Sequence, residues 1–479
     1  MGKQSKYVLE REDEDFFSSD AGHMVEQISI DLPVSDRVDF ISPARGADSS
    51  DSARAAQTVK VDRSADFLAG ATDGVNVPFT DPALTTLATF LTDGYWAHRE
   101  FAVGDGGTLK VDIGDLTGAG KQLAKWALDA WEDASGLNFK FVSKNADIDF
   151  DDKGKYAYST SKGVGDGTID SSFVNIATKW IDDYGHGRHT YSMQTYIHEI
   201  GHALGLGHAG NYNGSAKYGV DNNFTNDSWQ ASIMSYFSQA QNTDVDAHFA
   251  LVMTPQVADI IAIRELYGDT AIRAGDSVYS YRGDFEKYYS TRTIVDTGGT
   301  DTLDFSWSAR KQTINMNAET FSTIDGVKGN LGISRDTVVE IAIGGRSTDR
   351  IIGNEAANAL FGNGGKDRMT GGGGEDFFVF DTKASSKNVD TIVDFVVVDD
   401  TIAFNNKVFT KLGVDGALSF DAFRSNLTGK AEDASDRLIY ETDTGELYYD
   451  FDGDKQGGSV LVAKLSTFPG LGFGDFLVI

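Results

Sequence analysis

The sequence predicts an α+β domain followed by an all-β region built as a parallel β-roll. Two observations carry that prediction. The amino-terminal part alternates short β-type runs with helix-length amphipathic segments. Beyond residue 270 the composition turns to glycine, aspartate and β-branched residues and repeats every nine positions.

Residues 1–60 are acidic and polar. They include Ala47-Asp48-Ser49-Ser50-Asp51-Ser52-Ala53, which has the composition of a linker or an exposed cleavage region. No apolar run lies between Met1 and Asp15, so this stretch does not read as a secretory signal peptide. Leu84, Leu87, Phe90 and Leu91 predict a helix after Pro82, and Thr108 to Ile113 alternates as a strand. Lys121 to Ala134 reads as a helix with Leu123, Trp126, Ala127, Ala130 and Trp131 on one side. Asn138–Val142 and Asp147–Phe150 read as short strands.

The segment His198-Glu199-Ile200-Gly201-His202-Ala203-Leu204-Gly205-Leu206-Gly207-His208 holds three of the eight histidines in the chain. His198 and His202, four apart, lie one above the other on a helix and aim two nitrogens at a common point. Gly205 allows the helix to end, so that the chain turns back and offers His208 as a third ligand. Three protein ligands leave a position for water, the arrangement of a catalytic zinc, and Glu199 beside the first ligand can take that water's proton. Met193, Ile197, Ile200 and Leu204 form an apolar stripe opposite the histidines, so one side meets a core and the other a cleft. Downstream, Thr254-Pro255 predicts a helix start with threonine as N-cap; Ile260, Ile261, Ile263 and Leu266 follow, and Gly268 closes it near residue 270.

Forty-two basic against seventy-two acidic residues give a net charge of −30, which disfavours nucleic acid and anionic membranes as partners. The absence of cysteine excludes disulfides, thiolate metal sites and a cysteine latch on the zinc. No stretch approaches the roughly 20 apolar residues of a membrane helix.

Four turns recur in phase from Gly344, Gly353, Gly362 and Gly371. Each is followed by a triplet centred on a large apolar residue: Ile351, Leu360, Met369 and Phe378. This is the G-G-x-G-x-D-x-U-x repeat, in which tight glycine turns expose carbonyls and aspartates supply charge for calcium. The apolar residues point inward to a thin core, so calcium binding and folding should be one event.

Taken together these motifs resemble the serralysin family of secreted zinc metalloproteases, within the metzincins, from about residue 79 to the end. The resemblance implies a metzincin-type protease domain over 61–270 and a calcium-binding β-roll over 271–385. It leaves a C-terminal β region with a type I secretion signal over 386–479, and residues 1–60 as a pro-segment or extension. It implies zinc on His198, His202 and His208, Glu199 as general base, Met234 as an apolar floor, and Tyr236 as a further zinc ligand that stabilises the oxyanion. For calcium it implies Asp296, Gly298 and Asp301 in the lead-in, and Glu340 before the repeats. Within the turns it implies Gly345, Ser347, Asp349, Gly362, Gly364, Asp367, Gly371, Gly373 and Asp376, with Asp394 and Asp400 after them. Asp475 to Ile479 is similar to the uncleaved ending that type I secretion machinery reads.

The sequence departs from the family pattern at Ala209, where many members have proline, and at Ser347, Ala356 and Asn358, so the second turn should bind calcium weakly. Val338 stands where threonine is frequent, and Tyr156 to Trp180 has no obvious match to the substrate-aligning strand. The expected function is a secreted endopeptidase of broad specificity acting on protein or peptide substrates, with a proteinaceous inhibitor among the partners the family allows. The alternative is a non-catalytic calcium-dependent adhesin or surface module. Residues 1–60 could occupy the cleft, with His23 or a nearby acid approaching zinc; a solvated tail is the competing reading.

Overall fold

The computed structural model describes residues 81–281, 290–455 and 457–479. The readings of residues 1–60, including His23, lie outside the described residues.

Helix α1 (Asp81–Thr89) buries Leu84 and Leu87 and runs into a π-helical turn at Phe90–Gly94. Strand β1 (Thr108–Asp115) leads to α2 (Gly118–Ser135), which starts where the extended Thr117 hydroxyl accepts the Gly120 N–H. It ends at Gly136, whose φ of 71° is the left-handed conformation that favours glycine. Leu123, Ala127 and Trp131 of α2 are fully buried, whereas Trp126 is only partly covered.

Strands β2 (Asn138–Phe141), β3 (Ile148–Asp151), β4 (Ala157–Lys162) and β5 (Ser171–Ile176) complete a sheet of order β2-β1-β3-β5-β4 among the described residues. All pairs are parallel except β4–β5, so the edge strand β4 runs opposite to its neighbours. The sequence reading had no strand at β4 or β5 and no helix at α3 (Thr178–Tyr184). Ser159, Thr160, Ser161 and Lys162 are polar strand residues of a half-exposed edge, which carry no apolar period to read. Helix α4 (Tyr191–Ala203) packs against α2, β4 and β5.

Helix α5 (Val257–Tyr267) corrects the expected start at Thr254-Pro255. Gln256 is the N-cap, and the Asp259 carboxylate accepts the Gln256 N–H at 2.7 Å in a capping box. Thr254 is otherwise engaged, its hydroxyl accepting the Thr293 N–H at 2.9 Å. Gly268 ends the helix with φ 81°, as expected.

Beyond α5 the chain is almost wholly β. Strands at Ile341–Ile343, Ala359–Phe361 and Phe377–Phe380 stack in parallel in one sheet. Those at Arg350–Ile352, Arg368–Thr370 and Asp390–Ile392 stack in parallel in a second. Successive repeats therefore alternate between two sheets, and Ile351, Leu360, Met369 and Phe378 are all fully buried between them. The second sheet continues through Val327–Ile333 and Ser290–Ile294 to β6 (Leu251–Val252), joining the roll to the segment before α5. One hydrophobic core serves residues 84–272, joined by Val295 and Phe321, and another serves residues 279–478. The last strand, Phe476–Val478, pairs in parallel with Thr401–Phe404 and buries Phe476 and Val478.

Candidate metal centre

Helix α4 starts at Tyr191 because Thr190, extended at the N-cap, accepts the Met193 N–H on its hydroxyl at 3.3 Å. The stripe of Met193, Ile197, Ile200 and Leu204 is buried as expected. The helix stops ahead of Gly205, whose φ is 117°; a Cβ there would lie 2.3 Å from the Arg99 carbonyl oxygen. This turn carries His208 back towards His198 and His202.

The three imidazoles converge, with one ligand nitrogen of each lying within 4.8 Å of the others. His198 Nδ1 is 2.8 Å from the Ile233 carbonyl, and His202 Nδ1 is 2.8 Å from the Leu206 carbonyl. Carbonyls only accept, so both Nδ1 atoms are the protonated ones and both Nε2 atoms present lone pairs. His202 Nε2 and His208 Nε2 are 2.9 Å apart. Two ring nitrogens at that distance repel unless a proton or a cation lies between them, and three converging imidazole nitrogens are a donor set that fits a divalent metal accepting nitrogen ligands.

Burial pushes His198 down to about 4 and His208 to about 3. His202 is lowered well below the usual range, first by burial and then by its two histidine neighbours. All three are therefore neutral at physiological pH, the form a metal requires. Burial raises Glu199 to about 8. A cation beside it would favour the carboxylate and reverse that shift.

The floor of the centre is the turn Ser232–Phe237. Met234 is fully buried, and a Cβ on Gly201 would meet its Sδ at 2.6 Å and Trp131 Cζ2 at 3.0 Å. Glycine at position 201 thus lets the turn close directly against α4. Asp259, itself fully buried, accepts the Ser232 hydroxyl at 2.6 Å and the Ile233 N–H at 2.7 Å, holding the residue whose carbonyl orients His198. The Ala209 N–H donates to the Met234 carbonyl at 3.3 Å, a bond that proline at this position could not make.

Tyr236 stands beside His208, with ring centroids 4.5 Å apart, and its hydroxyl accepts the Gly214 N–H at 3.4 Å. Tyr212 lies against both rings, 5.6 Å from His208 and 4.8 Å from Tyr236, and donates to Asp227 at 3.0 Å. Asp227 also accepts the Ser235 hydroxyl at 2.6 Å, so one buried carboxylate fixes both flanks of Tyr236.

Sequence reasoning missed several of these residues. Tyr95 packs edge-on to His208 at 5.0 Å and Trp96 to His202 at 5.6 Å, while Arg99 lies over the Trp96 ring. They stand about a hundred residues before the histidines, and no local spacing links the two segments. Asp259 did carry a signal, the Gln-x-x-Asp pattern of a capping box at the start of an apolar helix.

Comparison with known proteins finds two family matches. Residues 191–273, from the start of α4 to just past α5, match the Met-zincin family profile. Residues 268–466 match the profile described as Peptidase M10 serralysin C terminal. Over these two spans the chain is similar to the serralysin family. It is 34% identical over 279 residues to Serralysin C of Dickeya chrysanthemi, covering 52% of this chain and 55% of that protein. It is 36% identical over 260 residues to Serralysin B of the same organism, covering 48% and 52%. Against the serralysin of Photorhabdus laumondii it is 35% identical over 262 residues, covering 49% and 53%. The chain spans about half the length of the curated relatives it matches.

The serralysin C-terminal match contains every carboxylate singled out for calcium. Most of these form a ladder in which a side chain reaches the backbone of an earlier turn. Asp367 Oδ1 accepts the Asp349 N–H at 2.7 Å, Asp376 Oδ1 the Asn358 N–H at 2.9 Å, and Asp400 Oδ1 the Asp376 N–H at 3.2 Å. Asp349 accepts the Gly345 N–H at 2.6 Å, and Asp394 accepts from Gly371 and Gly372. In the lead-in, Glu340 accepts the Asp301 N–H at 2.7 Å, and Asp296 accepts the Gly298 N–H at 3.2 Å and the Tyr279 hydroxyl at 2.6 Å.

One oxygen each of Asp301, Asp367 and Asp376 is buried without a hydrogen-bond donor. Burial, then neighbouring carboxylates, raises Asp367 to about 8, and burial raises Asp376 to about 8 and Glu340 to about 7. Asp390, which the sequence reading passed over, extends the ladder by accepting the Asp367 N–H at 2.9 Å. Of the remaining turn positions, Gly362, Gly364, Gly371 and Gly373 abut the side chain or backbone of the stacked turns, and Ser347 offers its carbonyl beside Gly365. The second turn differs, because the amides of Asn354 and Asn358 satisfy one another and the Val339 carbonyl.

Proposed function

We propose that this chain is a secreted zinc-dependent endopeptidase of broad specificity. The observation that carries the reading is the convergence of three neutral imidazoles next to a buried carboxylate, above a methionine-floored turn. His198, His202 and His208 would hold the zinc. When bound, zinc polarises a carbonyl and makes a nearby water acidic enough to act at neutral pH. Glu199 takes a proton from the attacking water and returns it to the leaving amine. The Tyr236 hydroxyl donates to the oxygen that gains charge as the carbonyl is attacked.

The antiparallel edge β4 gives an extended substrate a backbone to pair with, since among the described residues it pairs only with β5. Main-chain pairing of that kind favours breadth over sequence selectivity.

The carboxylate ladder is the calcium-binding part of the same proposal. Asp296, Asp301 and Glu340 supply the lead-in, and Asp349, Asp367, Asp376, Asp394 and Asp400 supply the turns, with carbonyls of Gly345, Ser347, Gly362, Gly364, Gly371 and Gly373. The unpartnered buried oxygens of Asp301, Asp367 and Asp376 favour hard cations there, whereas the second turn is already satisfied by its asparagines. Residues 61–270 would act as the protease domain, 271–385 as the roll, and 386–479 as the β region bearing the export signal. Residues 1–60 would be a pro-segment or an N-terminal extension.

The test is Glu199→Ala. The variant should keep its zinc and lose casein hydrolysis, and retained turnover would remove Glu199 from the mechanism. Zinc content separates this reading from a non-catalytic adhesin, which needs no intact histidine set.

A further inference from the structure

Five neighbouring strands of the second sheet in the β-region carry a row of cations on their outer side. The strands are Thr313–Asn315, Arg350–Ile352, Arg368–Thr370, Asp390–Ile392 and Ser459–Leu465, all running in parallel. Their register sets Thr313, Arg350, Arg368, Thr391 and Lys464 opposite one another. Each has buried neighbours on both sides, Asp349 and Ile351 around Arg350, and Asp367 and Met369 around Arg368. The row itself therefore faces solvent. Lys311 and Lys366, two positions before Thr313 and Arg368, are exposed as well.

Such a row is unfavourable by itself. Arg350 and Arg368 are register partners on adjacent strands, about 4.8 Å apart, where like charges repel. Among the described residues Lys311, Arg350, Lys366 and Arg368 have no ion pair, while Lys464 is paired with Glu446 at 2.6 Å. The carboxylates next to them in sequence face away. Asp349, Asp367 and Asp390 are buried and accept the backbone N–H groups of Gly345, Asp349 and Asp367. Arg350 Nε is shielded from water and has no acceptor. A chain with seventy-two acidic residues has ample acid to pair these cations, yet it leaves four of them unpaired side by side.

Beside the row lies an open groove of about 580 Å³, lined by Lys366, Ser386, Thr391, Ser459 and Lys464 among others. It joins two ammonium groups to three hydroxyls.

We propose that this face binds a linear acidic polysaccharide, with uronate carboxylates on the row and sugar hydroxyls in the groove. The row crosses five strands, about 19 Å, which suits an extended chain with repeated acids better than a compact anion. Planar carboxylates meet the guanidinium forks of Arg350 and Arg368 in bidentate pairs. Ser386, Thr391 and Ser459 both donate to and accept from sugar hydroxyls. Each of the five strands is paired on both sides, so an acidic peptide finds no free edge here for its backbone. The net charge of −30 keeps broad anionic surfaces away, whereas a slender chain meets only the row. This inference goes beyond the peptidase reading and does not depend on it: the face is a tether to an acidic matrix.

The test is titration calorimetry of the full, calcium-loaded chain with a short oligogalacturonate at low ionic strength. Saturable binding that weakens as salt is added is expected. No binding would overturn the proposal. Arg350→Gln combined with Arg368→Gln should weaken binding about tenfold, and Lys464→Gln alone about threefold. These side chains stand outside the core, and an unchanged calcium-dependent melting temperature verifies the fold. Should the double variant fail to fold, Arg368→Gln alone should still lower affinity about threefold. Unaltered affinity in the folded variants would overturn the proposal. Equal binding of a neutral oligosaccharide would do the same, and tighter binding of oligoglutamate would replace the polysaccharide with an acidic peptide.

Discussion

Gly201 and Met234 meet so closely that the helix and the turn below it are effectively one unit. A Cβ on Gly201 would come within 2.6 Å of the methionine sulfur, with Trp131 closing the other side. Gly201→Ala should therefore push Met234 away from α4 and cost about 1–3 kcal/mol through overpacking. Thermal unfolding of the folded variant checks this, and an unchanged melting temperature would show that the turn can yield.

Asp259 links α5 to the metal centre by accepting the Ser232 hydroxyl and the N–H of Ile233, the residue whose carbonyl orients His198. Asp259→Ala leaves those donors buried and unpaired, at about 1–3 kcal/mol for each. The expected outcome is a lower melting temperature together with weaker zinc retention. Competition with a chelator measures the second effect, and stability loss with unaltered zinc affinity would confine Asp259 to a structural role.

Tyr236→Phe keeps the ring against His208 and removes the hydroxyl. If that hydroxyl stabilises the developing oxyanion, kcat should fall about 10²–10³-fold with little change in KM. An equal rise in KM with kcat preserved would point instead to ground-state binding.

The roll should show a pH-dependent stability without calcium that it lacks with calcium. Asp367 and Asp376, raised to about 8, and Glu340, raised to about 7, bind protons in the folded calcium-free state that the unfolded chain has already released. Stability of that state therefore falls as pH rises from the ordinary carboxylate range near 4 towards 8. Calcium replaces those protons, so the loaded protein should lose this slope. Urea unfolding at about pH 5.5 and about pH 8, with calcium or with a chelator, tests the sign. A calcium-free protein more stable at the higher pH would contradict it.

The histidine helix, the glycine turn and the four in-phase repeats were legible because each is a local pattern with a fixed period. Ile351, Leu360, Met369 and Phe378 were all read as inward, and all four are buried. Illegible were the features that depend on distant segments meeting. Strand β4 has polar residues on an exposed edge, so it carries no hydrophobic period. Tyr95 and Trp96 touch the imidazoles although the whole five-stranded sheet separates them along the chain. The start of α5 was misjudged because Thr254 had an N-cap's chemistry, but Thr293 already uses its hydroxyl. Asp390 escaped because it follows the last repeat at a longer spacing, where the period no longer points to it.

The most direct test is anomalous diffraction at the zinc edge from crystals of the protein. A single strong peak should lie about 2.1 Å from one ring nitrogen of each of His198, His202 and His208. No peak between those rings, or a peak held by other side chains, would contradict the account.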